Sequence, residues 1–254
     1  MRDRWGYTRR VAWLAVTHPL EFWDRLQGRM ELRRWPIAPD PAPGPPGEWQ
    51  AELHRQLGAP WPCPDMLRYE GVYSAMVANL GVGTGHDSDP NLALVMACCT
   101  RHLKAERVVE VGVARGVSTR LALEALDDNG GGRLWSIDLP YQIADYQGQV
   151  GLAVPERLRP SWQFVRGSSQ RRLPGLLRRV GPIQVFMRDT LPTPPTVKRE
   201  LECAWRHMQP GAVAIAQDVH KSAGFDEFVA AAKPAAVMKV PLRTKGGFVG
   251  VAWK

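Results

Sequence analysis

An acid, two glycines and a second acid lie mid-chain at a spacing that suits nucleotide binding. Glu110 and Gly112 follow a β-branched run, Gly116 comes four residues later, and Asp138 ends the next predicted strand. Glycines let the backbone approach a ligand closely, and the start of the following helix offers free N–H groups. An acid at the tip of the second strand can accept hydrogen bonds from both ribose hydroxyls. These residues therefore predict a βαβ unit that binds an adenosine-type ligand.

Three predicted elements position this group. The run at residues 108–111 predicts a buried parallel strand, because it is short and rich in valine. Ser118 can cap the helix predicted at Thr119–Leu126, and a second strand is predicted at Arg133–Leu139. Strand, glycine turn, helix and strand together form the first half of a doubly wound sheet.

The spacing acid-x-Gly-x-x-x-Gly resembles motif I of class I S-adenosylmethionine (SAM)-dependent methyltransferases. A dinucleotide fingerprint would need glycines at Ala114 and Val117, which argues against a dehydrogenase. In the methyltransferase family the acid at the Glu110 position lies near the methionyl end of SAM, and the Asp138 position binds the ribose. The resemblance implies that SAM is the cofactor and that it contacts Glu110, Gly112, Gly116, Ser118 and Asp138.

A third strand is predicted at Trp162–Val165, and it leads into Gly-Ser-Ser-Gln at residues 167–170. This form is similar to catechol O-methyltransferase and its relatives, in which the matching Ser and Gln contact adenine. The resemblance therefore assigns Ser169 and Gln170 to the adenine ring. A serine here can also cap the helix predicted at Arg171–Val180, and the two roles are compatible.

The second half of the sheet carries two more acids at strand ends. Asp189 follows the strand predicted at Ile183–Met187, and Asp218 follows the one at Val213–Ala216. The stretch between them resembles a group of bacterial small-molecule methyltransferases, some of which act in natural product biosynthesis. The matching residues are Phe186, Asp189, Leu191, Thr193, Glu200, Trp205, Pro210, Gly211 and Asp218.

Acids at these two positions hold a divalent cation in metal-dependent O-methyltransferases, where the cation acidifies the acceptor hydroxyl. The resemblance thus implies a Mg²⁺ site at Asp189 and Asp218. Because adjacent parallel strands end at one edge, we expect the two carboxylates to face each other. Two close carboxylates repel, so Mg²⁺, protonated His220 or Arg188 must offset them.

Departures from the family pattern leave the use of a metal open. Arg188 and Pro192 replace two histidines, and Val219 stands where catechol-type enzymes have an asparagine ligand. His220, one residue further, could replace that ligand or act as a general base. Asp189, Asp218 and His220 are therefore the predicted catalytic residues.

The expected fold is α/β: a doubly wound, mostly parallel, seven-stranded Rossmann-like sheet with helices on both faces and an N-terminal helical extension. Residues 90–254 form the SAM-binding methyltransferase domain, and residues 48–89 a helical cap with a substrate loop. Residues 36–47 are a proline-rich linker, which excludes a helix or a central strand. Residues 1–35 are basic amphipathic helices broken at His18-Pro19.

The N-terminal helices have apolar stripes surrounded by arginines. A basic amphipathic helix with tryptophans also suits an anionic lipid surface, so contact with a membrane surface is an alternative. We favour packing against protein, either the catalytic domain or the second subunit of a homodimer. The stripes are formed by Val11, Leu14, Ala15, Leu20, Trp23, Leu26 and Met30.

Composition adds limits on partners and compartment. The chain has 254 residues, is 44% hydrophobic and carries a net charge of +8, which permits anionic partners without selecting one. It has four cysteines without a C-x-x-C pair, which argues against a zinc site and favours a reducing, cytoplasmic location. The cysteines are Cys63, Cys98, Cys99 and Cys203.

Three functions are weighed. The first is a SAM-dependent O-methyltransferase that acts on a small molecule, a natural product or a sugar. The second is a nucleic-acid methyltransferase, suggested by the charge but opposed by the absence of an Asn-Pro-Pro-Tyr-like element after the fourth strand. The third is a non-catalytic SAM-binding scaffold, suggested by the replaced histidines.

Overall fold

The computed structural model describes residues 14–42, 48–83, 87–139 and 148–254. Seven strands form one sheet: β1 (Arg107–Val111), β2 (Arg133–Asp138), β3 (Trp162–Arg166), β4 (Ile183–Arg188), β5 (Met208–Ala216), β6 (Ala236–Pro241) and β7 (Phe248–Trp253). Their spatial order is β3-β2-β1-β4-β5-β7-β6. The first five strands are parallel, and β7 runs antiparallel between β5 and β6.

Helices cover both faces of this sheet. The helices are α1 (Pro19–Arg34), α2 (Trp49–Gln56), α3 (Pro64–Leu80), α4 (Pro90–His102), α5 (Val117–Asp128), α6 (Ser169–Val180), α7 (Pro194–Trp205) and α8 (Gly224–Ala232), with a 3₁₀ helix at Glu156–Ser161. Helices α2 to α5 share one apolar core with the sheet, and α6 to α8 share the other. The predicted doubly wound, mostly parallel sheet of seven strands is confirmed.

Four described helices begin at a proline, namely Pro19, Pro64, Pro90 and Pro194. Proline suits the first turn of a helix, because its missing N–H is one that has no intrahelical partner there. No described helix has the length and apolarity needed to cross a bilayer.

Strand β5 is longer than the sequence suggested. The prediction placed a Pro-Gly turn before a strand at Val213–Ala216, whereas the strand begins at Met208, which pairs with Ile183. The register then shifts before Val213, and Gly211 adopts a φ of 79° in this irregular segment. The predicted turn is therefore a bulge inside the strand, where glycine's tolerance of positive φ is needed.

The cap predicted at residues 48–89 has no core of its own. Leu53 of α2 and Tyr69 of α3 are fully buried in the same apolar cluster as Leu94 of α4. Tyr69 also donates a hydrogen bond from its hydroxyl to Asp128 at the end of α5. The α2–α3 segment thus packs as an integral layer on one face of the sheet.

The linker and α1 lie against the sheet domain. The described part of the linker, residues 36–42, is anchored where Ala38 N–H donates to the carbonyl of Lys221. Helix α1 has no buried residue, and the predicted stripe residues Leu20, Trp23 and Met30 are more than half exposed. Within the described part of this chain, α1 therefore leaves these three stripe residues exposed, whereas Leu26 of the stripe lines the cavity together with Asp24 and Glu31. Trp13 lies outside the described residues.

Candidate active site

A cavity of about 680 Å³ lies at the carboxyl ends of β1, β2 and β4. Five of the residues predicted from the sequence line it: Gly112, Asp138, Ser169, Gln170 and Asp189. Carboxyl ends of parallel strands are where doubly wound sheets bind ligands, because the loops diverge there and leave a crevice. The described part of this wall also includes one face of α1.

Gly112 turns the chain away from β1 with a φ of 92°. A Cβ atom at this position would lie 2.0 Å from the carbonyl oxygen of Asp189, so the fold requires glycine here. Gly116 caps α5 with a φ of 86°, and its Cβ would lie 2.8 Å from Gly151 Cα. Gly112 shapes the cavity wall directly, whereas Gly116 packs behind it.

Asp138 ends β2 and is held by the glycine loop. The backbone N–H groups of Val113 and Ala114 each donate to Asp138 Oδ2 at 2.9 Å. Burial raises the pKa of Asp138 even though these two hydrogen bonds oppose the shift. The carboxylate is therefore fixed in the cavity wall, at the position where a ribose diol is expected.

Ser169 and Gln170 form the first turn of α6, on the far side of the cavity from β1. The preceding residue, Ser168, donates from its hydroxyl to Asp24 of α1 at 2.8 Å. This contact ties the first turn of α6 to α1, so both sides of the cavity's rim are held together.

Glu110 faces the opposite way from the cavity. It is fully buried, and its carboxylate accepts hydrogen bonds from the hydroxyls of Ser118, Thr119 and Ser136, each at 2.7 Å. Burial raises the pKa of Glu110 to about 7, although these three hydrogen bonds oppose the shift. Glu110 and Ser118 therefore lie inside the core, behind the cavity wall, where their hydrogen bonds link β1, α5 and β2.

Asp189 follows β4 and is held by its backbone, whose N–H donates to the carbonyl of Val111 at 2.7 Å. Burial, and to a smaller extent the nearby charge of Asp218, raise the pKa of the Asp189 carboxyl to about 7, although the charges of Arg188 and Lys245 oppose the shift. A carboxyl group with a pKa near neutrality can exchange protons with a bound molecule, and Asp189 lines the cavity.

Asp218 lies outside the described lining of the cavity and is already neutralised by lysines. Lys245 Nζ lies 2.9 Å from Asp218 Oδ1, and Lys221 Nζ lies 3.3 Å from Oδ2. The sequence expected Mg²⁺, His220 or Arg188 to offset the two acids. Two ammonium groups offset Asp218, and the charges of Arg188 and Lys245 lower the pKa of Asp189. The predicted Mg²⁺ site fits this arrangement poorly, because the cation would have to displace Lys245 and Lys221.

His220 is held by the linker and the last hairpin. Its Nδ1 accepts from the N–H of Phe248 at 3.1 Å, so its Nε2 carries the hydrogen and donates to Asp40 at 3.0 Å. Both ring nitrogens of His220 are therefore occupied, and His220 lies outside the described cavity wall. It holds the linker against the hairpin and is poorly positioned to act as a general base.

Arg188 is the largest fully buried side chain and forms an ion pair with Glu200 at 2.8 Å. It also donates to the carbonyl of Leu191 and the hydroxyl of Thr190. This guanidinium organises the loop after Asp189 from inside the protein, and its charge also lowers the pKa of Asp189.

Helix α1 completes the cavity with two acidic residues that lie seven positions apart. Asp24 accepts from Arg171 at 2.6 Å, and Glu31 accepts from the hydroxyls of Thr193 and Thr196, the latter at 2.5 Å. Gly28 lies between them, and a Cβ there would be 3.1 Å from Leu191 Cδ1. The helix thus closes over the loops that follow β3 and β4.

A family model described as a methyltransferase domain matches residues 109–219, the segment that contains most of this cavity wall. Residues 109–219 therefore resemble a methyltransferase domain. No curated protein matches the chain in sequence.

Solved structures share the fold of this methyltransferase domain. An O-methyltransferase from Bacillus cereus in complex with S-adenosylhomocysteine (SAH) is 18% identical with a TM-score of 0.53, and the match covers 80% of this chain and 97% of that one. The O-methyltransferase TomG from Streptomyces achromogenes, involved in tomaymycin synthesis and in complex with SAM, is 16% identical over 76% and 90%, with a TM-score of 0.52. A methyltransferase from Geobacter sulfurreducens is 15% identical over 84% and 98%, with a TM-score of 0.52. These structures confirm the fold expected from the resemblance to class I SAM-dependent methyltransferases, and the family match agrees with that resemblance.

Four residues that the resemblance assigns to SAM line this cavity: Gly112, Asp138, Ser169 and Gln170. Gly112 keeps the backbone clear at the turn, and Asp138 offers a fixed carboxylate for the ribose. Ser169 and Gln170 stand where the resemblance assigns the adenine ring. The cavity volume lies within the range of about 300–1,000 Å³ that is usual for small-molecule sites.

Sequence reasoning missed the wall that α1 gives to the methyltransferase domain. The available signal was the acidic face of an otherwise arginine-rich helix, formed by Glu21, Asp24 and Glu31 at spacings of three and seven residues. The missed Arg188–Glu200 pair had no comparable signal, because a buried ion pair across a loop leaves no periodic pattern. The long loop predicted to cover the site includes residues 140–147, which lie outside the described residues.

Proposed function

We propose that the protein transfers a methyl group from SAM to a hydroxyl group of a small molecule, with Asp189 as the general base. The observation that carries the proposal is the pKa of Asp189, raised to about 7 in the wall of a cofactor-sized cavity. When bound, SAM supplies an electrophilic methyl group on a sulfonium. The acceptor oxygen attacks that carbon more readily once its proton has begun to leave.

Asp189 has the properties needed to take that proton. Its pKa is close to ordinary working pH, so the carboxylate is a stronger base than usual and a substantial fraction of it is deprotonated. Its main chain is fixed beside Gly112, so the carboxylate lies next to the loop that would hold the donor. This arrangement aligns base and acceptor without a metal.

The acceptor is expected to be polar and hydroxylated, such as a phenolic natural product or a sugar. The described cavity wall includes Arg25, Glu31 and Arg199, which together offer both hydrogen-bond donors and acceptors. An enclosed cavity of this size favours a small acceptor over a nucleic-acid strand.

The proposal is tested with Asp189→Asn, assayed for SAH formation over a panel of phenols, catechols and glycosides. We expect the variant to lose about 10²- to 10⁴-fold in kcat and to lose the rise in rate near pH 7, with SAM affinity little changed. Asp138→Asn should instead weaken SAM binding. Asp226→Asn, at an exposed aspartate of α8, is the matched control.

Two results would contradict the proposal. Undiminished turnover by Asp189→Asn would place the base elsewhere. SAM binding without turnover of any acceptor by the wild-type protein would favour the scaffold interpretation.

A further inference from the structure

Two histidines and a cysteine meet on the helical layer formed by α2, α3 and α4. His54 lies in α2, Cys63 precedes α3, and His102 ends α4. One nitrogen or sulfur atom of each lies within 4.8 Å of the others, and Cys63 Sγ is 3.3 Å from His102 Nε2. The sequence argued against a zinc site because it contains no C-x-x-C pair, but the fold brings three distant ligand types together.

His54 shows that one nitrogen of this cluster is unused. Its Nδ1 lies 2.7 Å from the carbonyl oxygen of Gln50, which can only accept, so Nδ1 carries the hydrogen. Nε2 is therefore a bare lone pair, yet it is buried and has no hydrogen-bond partner among the described residues. An unsatisfied buried acceptor is costly, and proteins keep one where it has a partner or a role.

We propose that His54, Cys63 and His102 bind a zinc ion. A thiolate and two neutral imidazoles are ligands that Zn²⁺ prefers. With Zn–S near 2.3 Å and Zn–N near 2.0–2.1 Å, a tetrahedral S···N edge measures about 3.5 Å, close to the Cys63–His102 separation. The Gln50 carbonyl fixes the His54 ring in the tautomer that presents Nε2, as partners behind metal-bound histidines usually do.

His54 and Cys63 are buried, whereas His102 is only partly so. A fourth ligand such as water would have to reach the ion from the less buried side of the cluster. The rings of His54 and His102 lie with their centroids 5.2 Å apart, nearly perpendicular, so both can direct a nitrogen to one point.

This zinc site is separate from the cofactor cavity. His102 lies just before β1 begins, at the amino edge of the sheet, whereas the cavity lies at the carboxyl edge. A zinc ion here would link α2 and the start of α3 to α4. Its role would be structural: it would hold the helical layer to the methyltransferase domain.

The test uses the full chain, stripped with chelator and titrated with Zn²⁺ and, as a spectroscopic probe, Co²⁺. We expect one equivalent to bind, Co²⁺ to give visible bands typical of tetrahedral ligation, and a thiolate charge-transfer band. Cys63→Ser should abolish that band and weaken binding by more than the roughly 10- to 100-fold caused by changes in outer-shell groups. Cys203→Ser, the same substitution away from the cluster, should leave both unchanged.

His54→Gln is the second variant and does not depend on the thiol. It should weaken Zn²⁺ binding and remove the increase in melting temperature that Zn²⁺ gives the wild-type protein. If the wild-type protein binds neither metal, or if Cys63→Ser and His54→Gln both bind Zn²⁺ as well as it does, the proposal is wrong. None of these measurements depends on the methyltransferase activity.

Discussion

Glu110 shows how the face of a strand decides what an acid does. Alternate residues of β1 point to opposite sides, and Glu110 shares its side with Val108, which packs in the core of α4 and α5. The acid of the family motif is therefore placed among hydroxyls behind the cavity. Burial raises the pKa of Glu110 behind the cavity wall. Burial also raises the pKa of Asp189, but Asp189 lines the cavity itself.

The raised pKa of Glu110 predicts a pH-dependent stability. Because its pKa is about 7 in the folded chain against 4.5 ordinarily, the folded state holds the proton more tightly. The free energy of unfolding should fall as the pH rises from 4.5 to about 7, by roughly 3 kcal/mol from this group. Glu110→Gln keeps a hydrogen-bonding side chain but should remove this part of the slope, as measured by urea unfolding at several pH values.

The exposed Glu106 just before β1 provides the control. The free energy of unfolding of Glu106→Gln should follow the wild-type pH dependence. Asp189, whose pKa is also raised, contributes a fall of the same sign to the wild-type protein and to both variants. Identical slopes for Glu110→Gln and the wild-type protein would show that Glu110 ionises at its ordinary pKa and that burial does not dominate.

Among single residues, the sequence predicted those that local spacing defines and missed pairs of residues that lie far apart in the chain. Gly112 and Asp138 were predictable, because a turn with positive φ and an acid at a strand end are read from spacing alone. Lys245, which neutralises Asp218 across 27 residues, was not, since nothing local links the two. The same limit hid the linker residue Asp40, which binds His220.

Helix α1 is the element whose role changed most between sequence and structure. Its arginines and its apolar stripe indicated a docking surface, yet its acidic face covers the cavity. The docking contacts are charge-assisted: Glu21 with Arg166, Asp24 with Arg171 and Glu31 with two threonine hydroxyls. Strands β1 and β4, by contrast, followed the apolar runs of the sequence closely, since burial on both faces leaves an unambiguous pattern.

The contacts of Glu31 predict that α1 controls ligand affinity. Glu31→Ala should loosen α1 over the loop after β4, because hydrogen bonds to a charged group contribute about 1.5–3 kcal/mol. We expect KM for the acceptor to rise about tenfold, with a smaller change in kcat. Steady-state kinetics measure this, and Met30→Ala, on the exposed neighbour, is the matched control.

An unchanged KM in Glu31→Ala would mean that α1 does not rest on the cavity in solution. The exposed stripe of Leu20, Trp23 and Met30 remains the predicted surface for a homodimer or, alternatively, for a membrane surface. Met30→Ala therefore also reports on oligomeric state, independently of the kinetics.

Across the whole molecule, much of the positive charge is engaged within the chain. Arg115 pairs with Asp87, Arg157 with Glu124, and Arg188 with Glu200, in addition to the pairs that hold α1. A net charge of +8 is therefore weaker evidence for a nucleic-acid surface than the composition alone suggested. The size of the cavity likewise favours the proposed small acceptor.

The distribution of charge also predicts how the protein responds to metals. Lys245 and Lys221 occupy the oxygens of Asp218, so turnover should stay within about twofold after chelation and should not rise with added Mg²⁺. Removal of zinc from the cluster of His54, Cys63 and His102 should lower the melting temperature without changing kcat. Chelation thus separates a metal that stabilises the fold from one that takes part in catalysis.

Lys245→Met tests the same charge arrangement from the protein side. The Lys245 ammonium lowers the pKa of Asp189, so its removal should move the rise in rate to higher pH. Lys239→Met, on the exposed face of β6, should leave the pH profile unchanged. If chelation abolished turnover and Mg²⁺ restored it, a cation would hold Asp189 and Asp218 during catalysis. In that case the two lysines would have to leave Asp218 whenever the cation binds.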